Sequence, residues 1–253
     1  MPLSSERLLE GRNIVVTGCL KGIGRATLDM LAENGANVWA CSQHEDSGFA
    51  AHIKVLEKSH KVAVTPLYFD LLDQESIKAA VKVIFSAKKP VDALVNIAGM
   101  TQDALFQMVS MDQMKQVFEV NFFSQILFTQ YITKLMLRNK KGSVVNVVSI
   151  SGIDGNPGQL SYSASKGALI SATKTLSAEL APQGIRVNAI APGVINTEMT
   201  EKLPEETLRR FMDKSALKHM GLPAEVAGAI MFLVSDLSSY VTGQIIRVDG
   251  GIG

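Results

Sequence analysis

Cysteine is scarce: the 253 residues hold two, Cys19 and Cys41, with no CxxC pair. That excludes a disulfide framework and a thiolate zinc site, and it suits a reducing cytoplasm. Neither sign of charge is in excess, with 25 Lys and Arg against 24 Asp and Glu and a formal net of +1. A nucleic-acid or membrane-surface binder carries a basic surplus, so neither partner is expected. Long apolar runs are also missing. The longest charge-free stretch, Val120 to Thr133, is broken by Asn121, Ser124, Gln125 and Gln130. A bilayer span needs about 20 apolar residues. The opening Met-Pro-Leu-Ser-Ser-Glu-Arg has no apolar core of the kind a secretory signal needs. The four histidines (His44, His52, His60, His219) show no HExxH-like spacing, so no metal is expected, and no GxxxxGK[ST] points to a P-loop ATPase. No repeat, low-complexity tract or linker divides the chain, and residues 1–253 read as one domain. A chain this long can bury enough surface to fold without a staple.

What the sequence does contain is alternation. Short aliphatic runs at Asn13–Thr17, Asn37–Ser42, Val62–Phe69, Val91–Asn96, Ser143–Ser149, Arg186–Ile190 and Gln244–Val248 read as strands. They are nearly continuous in hydrophobicity, as strands covered by helices on both faces must be. Helical segments fall between them near residues 22–34, 47–58, 73–85, 110–137, 161–181 and 224–235. Ser110-x-x-Gln113 has the form of a capping box, and Pro223 suits a first helical turn. The expectation is an α/β single-domain Rossmann fold, a doubly wound seven-stranded parallel sheet. Ligands in such a sheet bind beyond the carboxyl ends of the strands.

The first strand runs into Gly18-Cys-Leu-Lys-Gly22-Ile-Gly24, and a helix follows. Gly18 permits a tight turn, Gly22 a close backbone approach, and Gly24 close packing of helix on strand. A pyrophosphate can then sit on free N–H groups at the helix N-terminus. This Thr-Gly-x-x-x-Gly-x-Gly spacing resembles that of the short-chain dehydrogenase/reductase family, and further motifs follow in the family's order. They are Asn96-Ile-Ala-Gly99, Asn121, Ser149, Tyr162-Ser-Ala-Ser-Lys166, Pro192-Gly193 and Val248-Asp-Gly-Gly251. Ile97 departs from the family's Asn-Asn-Ala-Gly. Within the family the chain looks most like the 3-oxoacyl-(acyl-carrier-protein) reductase and sugar-dehydrogenase branch.

The chemistry can be argued from the residues themselves. Tyr162 and Lys166 are one helical turn apart on one face. A phenol titrates near 10, too high for easy proton exchange at neutral pH. A neighbouring ammonium, together with an oxidised nicotinamide, should pull it down toward working range. Tyr162 would protonate a carbonyl oxygen during reduction, and Ser149 would hydrogen-bond the same oxygen. By resemblance, Lys166 also holds the nicotinamide ribose, and Asn121 holds a water that links Lys166 to solvent.

The resemblance further implies a cofactor site at Gly18, Lys21, Gly22, Ile23, Gly24, Ser42, Asp70, Leu71, Asn96, Ala98, Gly99, Tyr162, Lys166, Pro192, Gly193, Ile195 and Thr197. Ser42 stands where an NAD-selective enzyme places an acid, and Lys21 matches a basic position beside a 2′-phosphate. NADP(H) is therefore favoured over NAD(H), although Gln43 replaces an expected Arg. A polar stretch at 196–222 resembles a substrate lid. The expected cleft walls are Ser149, Ile150, Ser151, Ile153, Asn156, Gln159, Tyr162, Val194 and Met199. Arg138, Lys140 and Lys141 read as a solvated helix end rather than a docking site for an acidic carrier, and Gln183 replaces the Arg this branch often has.

These readings converge on an NAD(P)(H)-dependent oxidoreductase that interconverts a carbonyl and a secondary alcohol, with a 3-oxoacyl thioester as the first substrate. The alternatives are a sugar or polyol dehydrogenase and a catalytically silent NADP-binding regulator. A homo-oligomer, a D₂ tetramer, is also expected. The helix from Ser110 to Leu137 is apolar around more of its circumference than one sheet face can cover, and the chain ends on an edge strand.

Overall fold

The computed structural model describes residues 7–198, 200–201 and 205–252. Seven parallel strands form one sheet in the order β3-β2-β1-β4-β5-β6-β7. They are β1 (Asn13–Thr17), β2 (Asn37–Ser42), β3 (Val64–Tyr68), β4 (Ala93–Asn96), β5 (Gly142–Val147), β6 (Ile185–Pro192) and β7 (Ile245–Val248). The helices are α1 (Gly22–Glu33), α2 (Ser47–His60), α3 (Gln74–Ser86), α4 (Met111–Phe118), α5 (Ser124–Met136), α6 (Ser151–Asp154), α7 (Leu160–Leu180), α8 (Glu205–Lys214) and α9 (Pro223–Val234). Strand β1 pairs with β2 on one side and β4 on the other, so the winding reverses between β1 and β4. That reversal opens a crevice at the carboxyl ends of the strands.

The burial explains why the strands read as continuous apolar runs. Ile14 and Val16 face one side, against Leu28 and Leu31 of α1, Phe49 of α2 and Ile230 and Leu233 of α9. Val15 faces the other, in a cluster with Ile77 of α3 and Phe128, Ile132 and Met136 of α5. Each such side chain contributes about 1.5–3 kcal/mol when fully buried. Among the described residues no helix is long and apolar enough to cross a membrane.

Three helices start on caps: Asp46, Asp73 and Ser110 each accept a backbone N–H from the first turn. The segment from 110 to 137 departs from the single helix that its apolar periodicity predicts. A wide π-type turn, Glu119–Phe123, separates α4 from α5. The extra residue in that turn points Asn121 inward, and the Ser124 hydroxyl donates to Glu119 just beyond it at 3.2 Å. Interruptions of this kind concentrate at functional sites. The anticipated surplus of apolar surface on this segment is partly absorbed by the protein itself. Val117, Phe128, Ile132 and Met136 are fully buried, whereas Met111 is 63% and Phe123 54% exposed.

Helix α7 is seated by polar contacts. Asn96 at the end of β4 donates to Asn146 on β5 and to Thr129 on α5, both at 2.9 Å. Asn146 donates in turn to Thr173 on α7 at 2.9 Å. All four residues are buried, where a broken hydrogen bond would leave an unpaired dipole and cost about 1–3 kcal/mol. This ladder fixes the rotation of α7, and with it the direction of Tyr162 and Lys166.

Candidate active site

The crevice is a cavity of about 730 Å³ that runs from Ser42 and Asp70 at one end to Ser149 and Tyr162 at the other. Its floor is the glycine turn. Gly18 has φ +77°, and a Cβ there would sit 3.0 Å from the Ala98 nitrogen. At Gly24 a Cβ would lie 1.9 Å from the Gly18 carbonyl oxygen. Gly18 and Gly24 are therefore positions where no side chain fits, and Gly22, Ile23 and Gly24 bring the start of α1 to the cavity. Size, shape and cradle fit a dinucleotide. Thr17 ties the turn to the next strand, its hydroxyl accepting Ile97 N–H at 3.0 Å and Ala98 N–H at 3.2 Å.

Of the seventeen residues expected to hold the cofactor, sixteen line this cavity. Asn96 does not. Its side chain points away, into the buried ladder under α7, because alternation along β4 turns it to the α5 side of the sheet. Lys21 lines the cavity, but its ammonium is 2.7 Å from the Glu198 carboxylate. At the adenosine end Ser42 donates to the His44 carbonyl at 3.0 Å, and the Gln43 amide donates to Asp70 at 3.2 Å. Sequence reasoning missed Thr17, His44, Gln116 and Glu198 on the walls. Only Thr17, the first residue of the glycine motif, carried a local signal.

The four residues expected to be catalytic, Asn121, Ser149, Tyr162 and Lys166, come together at the far end. Lys166 is buried at 3% exposure, its ammonium 2.8 Å from the Val147 carbonyl and 5.8 Å from the centre of the Tyr162 ring. Burial lowers its pKa to about 8. Asn121 donates to the Met100 carbonyl at 2.8 Å and to Ser165 at 3.1 Å, and its Oδ1 accepts Met100 N–H at 2.8 Å. Both amide protons are thus used and one Oδ1 lone pair is left. A Cβ on Gly99 would stand 3.1 Å from that oxygen and 3.4 Å from the Lys166 nitrogen, which is why the loop needs glycine there. The Ser149 hydroxyl oxygen accepts Ser151 N–H at 3.1 Å, and the same hydroxyl hydrogen-bonds Tyr162.

Tyr162 differs from expectation. Its pKa is raised, not lowered: desolvation dominates, a hydrogen bond with Ser149 opposes it, and the Asp103 carboxylate adds to the rise. The ammonium that was to lower it lies beyond the ring and is engaged by Val147. In the protein alone Tyr162 is therefore a proton donor.

The substrate-side expectations fare unevenly. Ser149 and Tyr162 line the cavity, whereas Ile150, Ser151, Ile153, Asn156, Gln159 and Val194 do not, and Met199 lies outside the described residues. Ser151 and Asn156 both donate to Gln159 Oε1, at 3.2 and 2.9 Å, and Gln159 donates to Asp103 at 3.0 Å. These polar groups satisfy one another. They brace the loop around Asp103 against the start of α7, reinforced by Ala104 N–H donating to the Gly158 carbonyl at 2.9 Å. Arg138, Lys140 and Lys141 precede β5 and so sit at the amino ends of the strands, opposite the cavity. They cannot present a carrier-borne substrate to Tyr162.

Fold and site define an oxidoreductase with a tyrosine and a buried lysine at one end of a dinucleotide-sized cradle. Residues 18–253 match the family model described as enoyl-(acyl carrier protein) reductase. The chain is 42% identical to the 3-oxoacyl-[acyl-carrier-protein] reductase of Thermotoga maritima over 96% of its own length and 98% of that protein. Against the reductase of the same name from Aquifex aeolicus, identity is 38% with the same coverage. The crystal structure of 3-oxoacyl-[acyl-carrier protein] reductase from Brucella melitensis superposes with a TM-score of 0.90 at 32% identity, covering 97% of this chain and 94% of that one. A putative gluconate dehydrogenase from Agrobacterium tumefaciens superposes at 0.92 with 29% identity, covering 98% of each. The chain belongs to the short-chain dehydrogenase/reductase family. It is an oxidoreductase of carbonyl and alcohol groups, in a family that uses nicotinamide cofactors.

Proposed function

We propose that this protein reduces a 3-oxoacyl thioester to the 3-hydroxyacyl thioester with NADPH. The observation that carries the reading is the meeting of Ser149, Tyr162 and Lys166 at one end of a dinucleotide-sized cavity. Bound NADPH supplies the hydride. Tyr162, held protonated by burial, gives its proton to the carbonyl oxygen, and the Ser149 hydroxyl beside it donates to the same oxygen and steadies the charge that develops there. Lys166, with Gly99 and Asn121 at its side, orients the nicotinamide ribose, and the remaining Asn121 lone pair is available to hold a water beside it. The names of the 3-oxoacyl-[acyl-carrier-protein] reductase relatives support the thioester. The exposed Leu105, Phe106 and Met108, beside the braced loop, support an acyl chain at the mouth. The segment 196–222 serves as the lid, and a reducing cytoplasm suits the two buried thiols.

A second reading, oxidation of a sugar acid or polyol, draws on the likeness to the putative gluconate dehydrogenase and on the polar frame of Asp103, Ser151, Asn156 and Gln159. Assays of 3-oxoacyl thioesters, sugar acids and polyols with both cofactors decide between them. Thioester turnover with NADPH supports the first, and turnover confined to sugar acids or polyols overturns it. A silent regulator would show no turnover at all.

Ser42 and Lys21 support NADP(H). Lys21→Ala should weaken NADPH about 10–150-fold, the value of one charge-assisted contact, and leave NADH nearly unchanged. Equal losses for both cofactors would remove Lys21 from the phosphate.

The protein is further proposed to be a homotetramer. The exposed Met111 and Phe123 and the edge strand β7 support this. Light scattering should give a mass near four times the 27.3 kDa of one chain. A mass near a single chain at micromolar concentration would refute it.

A further inference from the structure

Lys21 ends the glycine turn as the residue before α1, and its side chain reaches across the cavity mouth to Glu198, with 2.7 Å between nitrogen and oxygen. Glu198 stands on the strap that leaves β6. One residue earlier on that strap, the Thr197 methyl carbon lies 3.3 Å from where a Gly22 Cβ would be. The strap thus meets the turn at two neighbouring points, one ionic and one apolar. Its backbone is held in shape. Thr200 donates to the Ile195 carbonyl at 2.7 Å, Thr197 N–H donates to Thr200 at 3.0 Å, and Asn196 N–H donates to the Gly221 carbonyl at 2.8 Å. Lys21 and Glu198 both line the cavity.

We infer that Glu198 is a specificity-determining residue, one that competes with the cofactor's 2′-phosphate for Lys21 and latches the strap over an empty cleft. The inference rests on the reading that Lys21 meets that phosphate. Among the described cavity walls the charged or titratable groups are Lys21, Cys41, His44, Asp70, Tyr162, Lys166 and Glu198. Lys166 belongs to the opposite end, so Lys21 is the lysine at the adenosine half. A phosphate carries more than one negative charge and wins the ammonium from a carboxylate. Glu198 is then left unpaired beside a new anion. NADH brings a hydroxyl to the same place, leaves the Lys21–Glu198 pair intact and meets no such opposition. Glu198 therefore taxes NADPH alone, and NADPH alone releases this contact of the strap.

The test is direct titration of NADPH and NADH by cofactor fluorescence on wild type, Glu198→Gln and Lys21→Ala. Both side chains are more than half exposed, so the variants should fold, and thermal melts check that they do. Glu198→Gln should tighten NADPH about two- to five-fold, the range of an exposed ion pair, and leave NADH within experimental error. At molar salt, where screening acts within about 3 Å, that gain should vanish. An equal change for both cofactors, no change for either, or weaker NADPH binding overturns the latch. If Lys21→Ala weakens both cofactors equally, the phosphate reading falls and the latch falls with it. If Lys21→Ala is selective and Glu198→Gln is neutral, the latch falls alone.

Discussion

Replacing Tyr162 by phenylalanine should give a folded protein that binds cofactor and reduces its substrate about 10²–10⁴-fold more slowly. The ring keeps its packing beside Lys166 while the proton to be transferred to the carbonyl oxygen is gone. Ser149 alone cannot replace it, because a hydroxyl that donates a hydrogen bond without an acidic partner does not complete the alcohol. Activity near wild type in the purified variant would sink the mechanism. The pH profile gives a second reading of the same pair. Reduction needs the phenol protonated, and burial keeps it so past its ordinary range. Lys166, lowered to about 8, loses its charge first. The kcat/KM for the cofactor should be level below neutrality and fall as pH rises through about 8. A profile flat to pH 10 would show that the ammonium has no part in holding the ribose.

Gly24→Ala should abolish measurable cofactor binding, a loss of at least about 100-fold, and should lower stability by about 1–3 kcal/mol. The added methyl would sit 1.9 Å from the Gly18 carbonyl oxygen and 2.6 Å from its carbon. Both are backbone atoms of the phosphate turn, so relief requires α1 to move off β1. The start of α1, which Gly22, Ile23 and Gly24 bring to the cavity, would then be displaced. Cofactor titration and a thermal melt measure the two effects separately. Unchanged binding would mean that the turn is not the cradle.

The glycine turn and the Tyr162–Lys166 pair were legible because each signal is local, whereas Ser149 was found only through its place in the family's motif order. Spacing of two, four or six residues fixes geometry on a turn or one helix face before any tertiary contact forms. The parallel sheet and its burial on both faces were legible for a similar reason, since continuous aliphatic runs have few other uses. What stayed hidden depends on pairs far apart in sequence. Glu198 meets Lys21 across 177 residues, and Asp103 meets Gln159 across 56. Neither partner has a signature of its own. Asn96 was read as a cofactor contact from its place at a strand end, but the pleat sends it to the α5 side. Ser151, Asn156 and Gln159 were expected among the mixed, uncharged cleft walls after Ser149. Polarity alone did not reveal that they satisfy one another. The break at Glu119–Phe123 was invisible because apolar residues continue at helical spacing straight through it.

The burial of Lys166 reaches beyond catalysis. A lysine that titrates at about 8 in the folded chain and 10.5 in the unfolded one favours unfolding wherever it carries charge. The shift corresponds to about 3 kcal/mol, fully present below pH 8 and relieved as pH rises from there toward 10.5. Over that window the unfolded chain binds more protons than the folded one, so this residue makes the protein sturdier as the medium turns alkaline. Its single hydrogen bond to Val147 holds the ammonium in place without cancelling the strain. Heat tolerance and turnover therefore pull on this side chain in opposite directions, and neutral pH, where the charge is needed, is where the fold bears it at greatest cost.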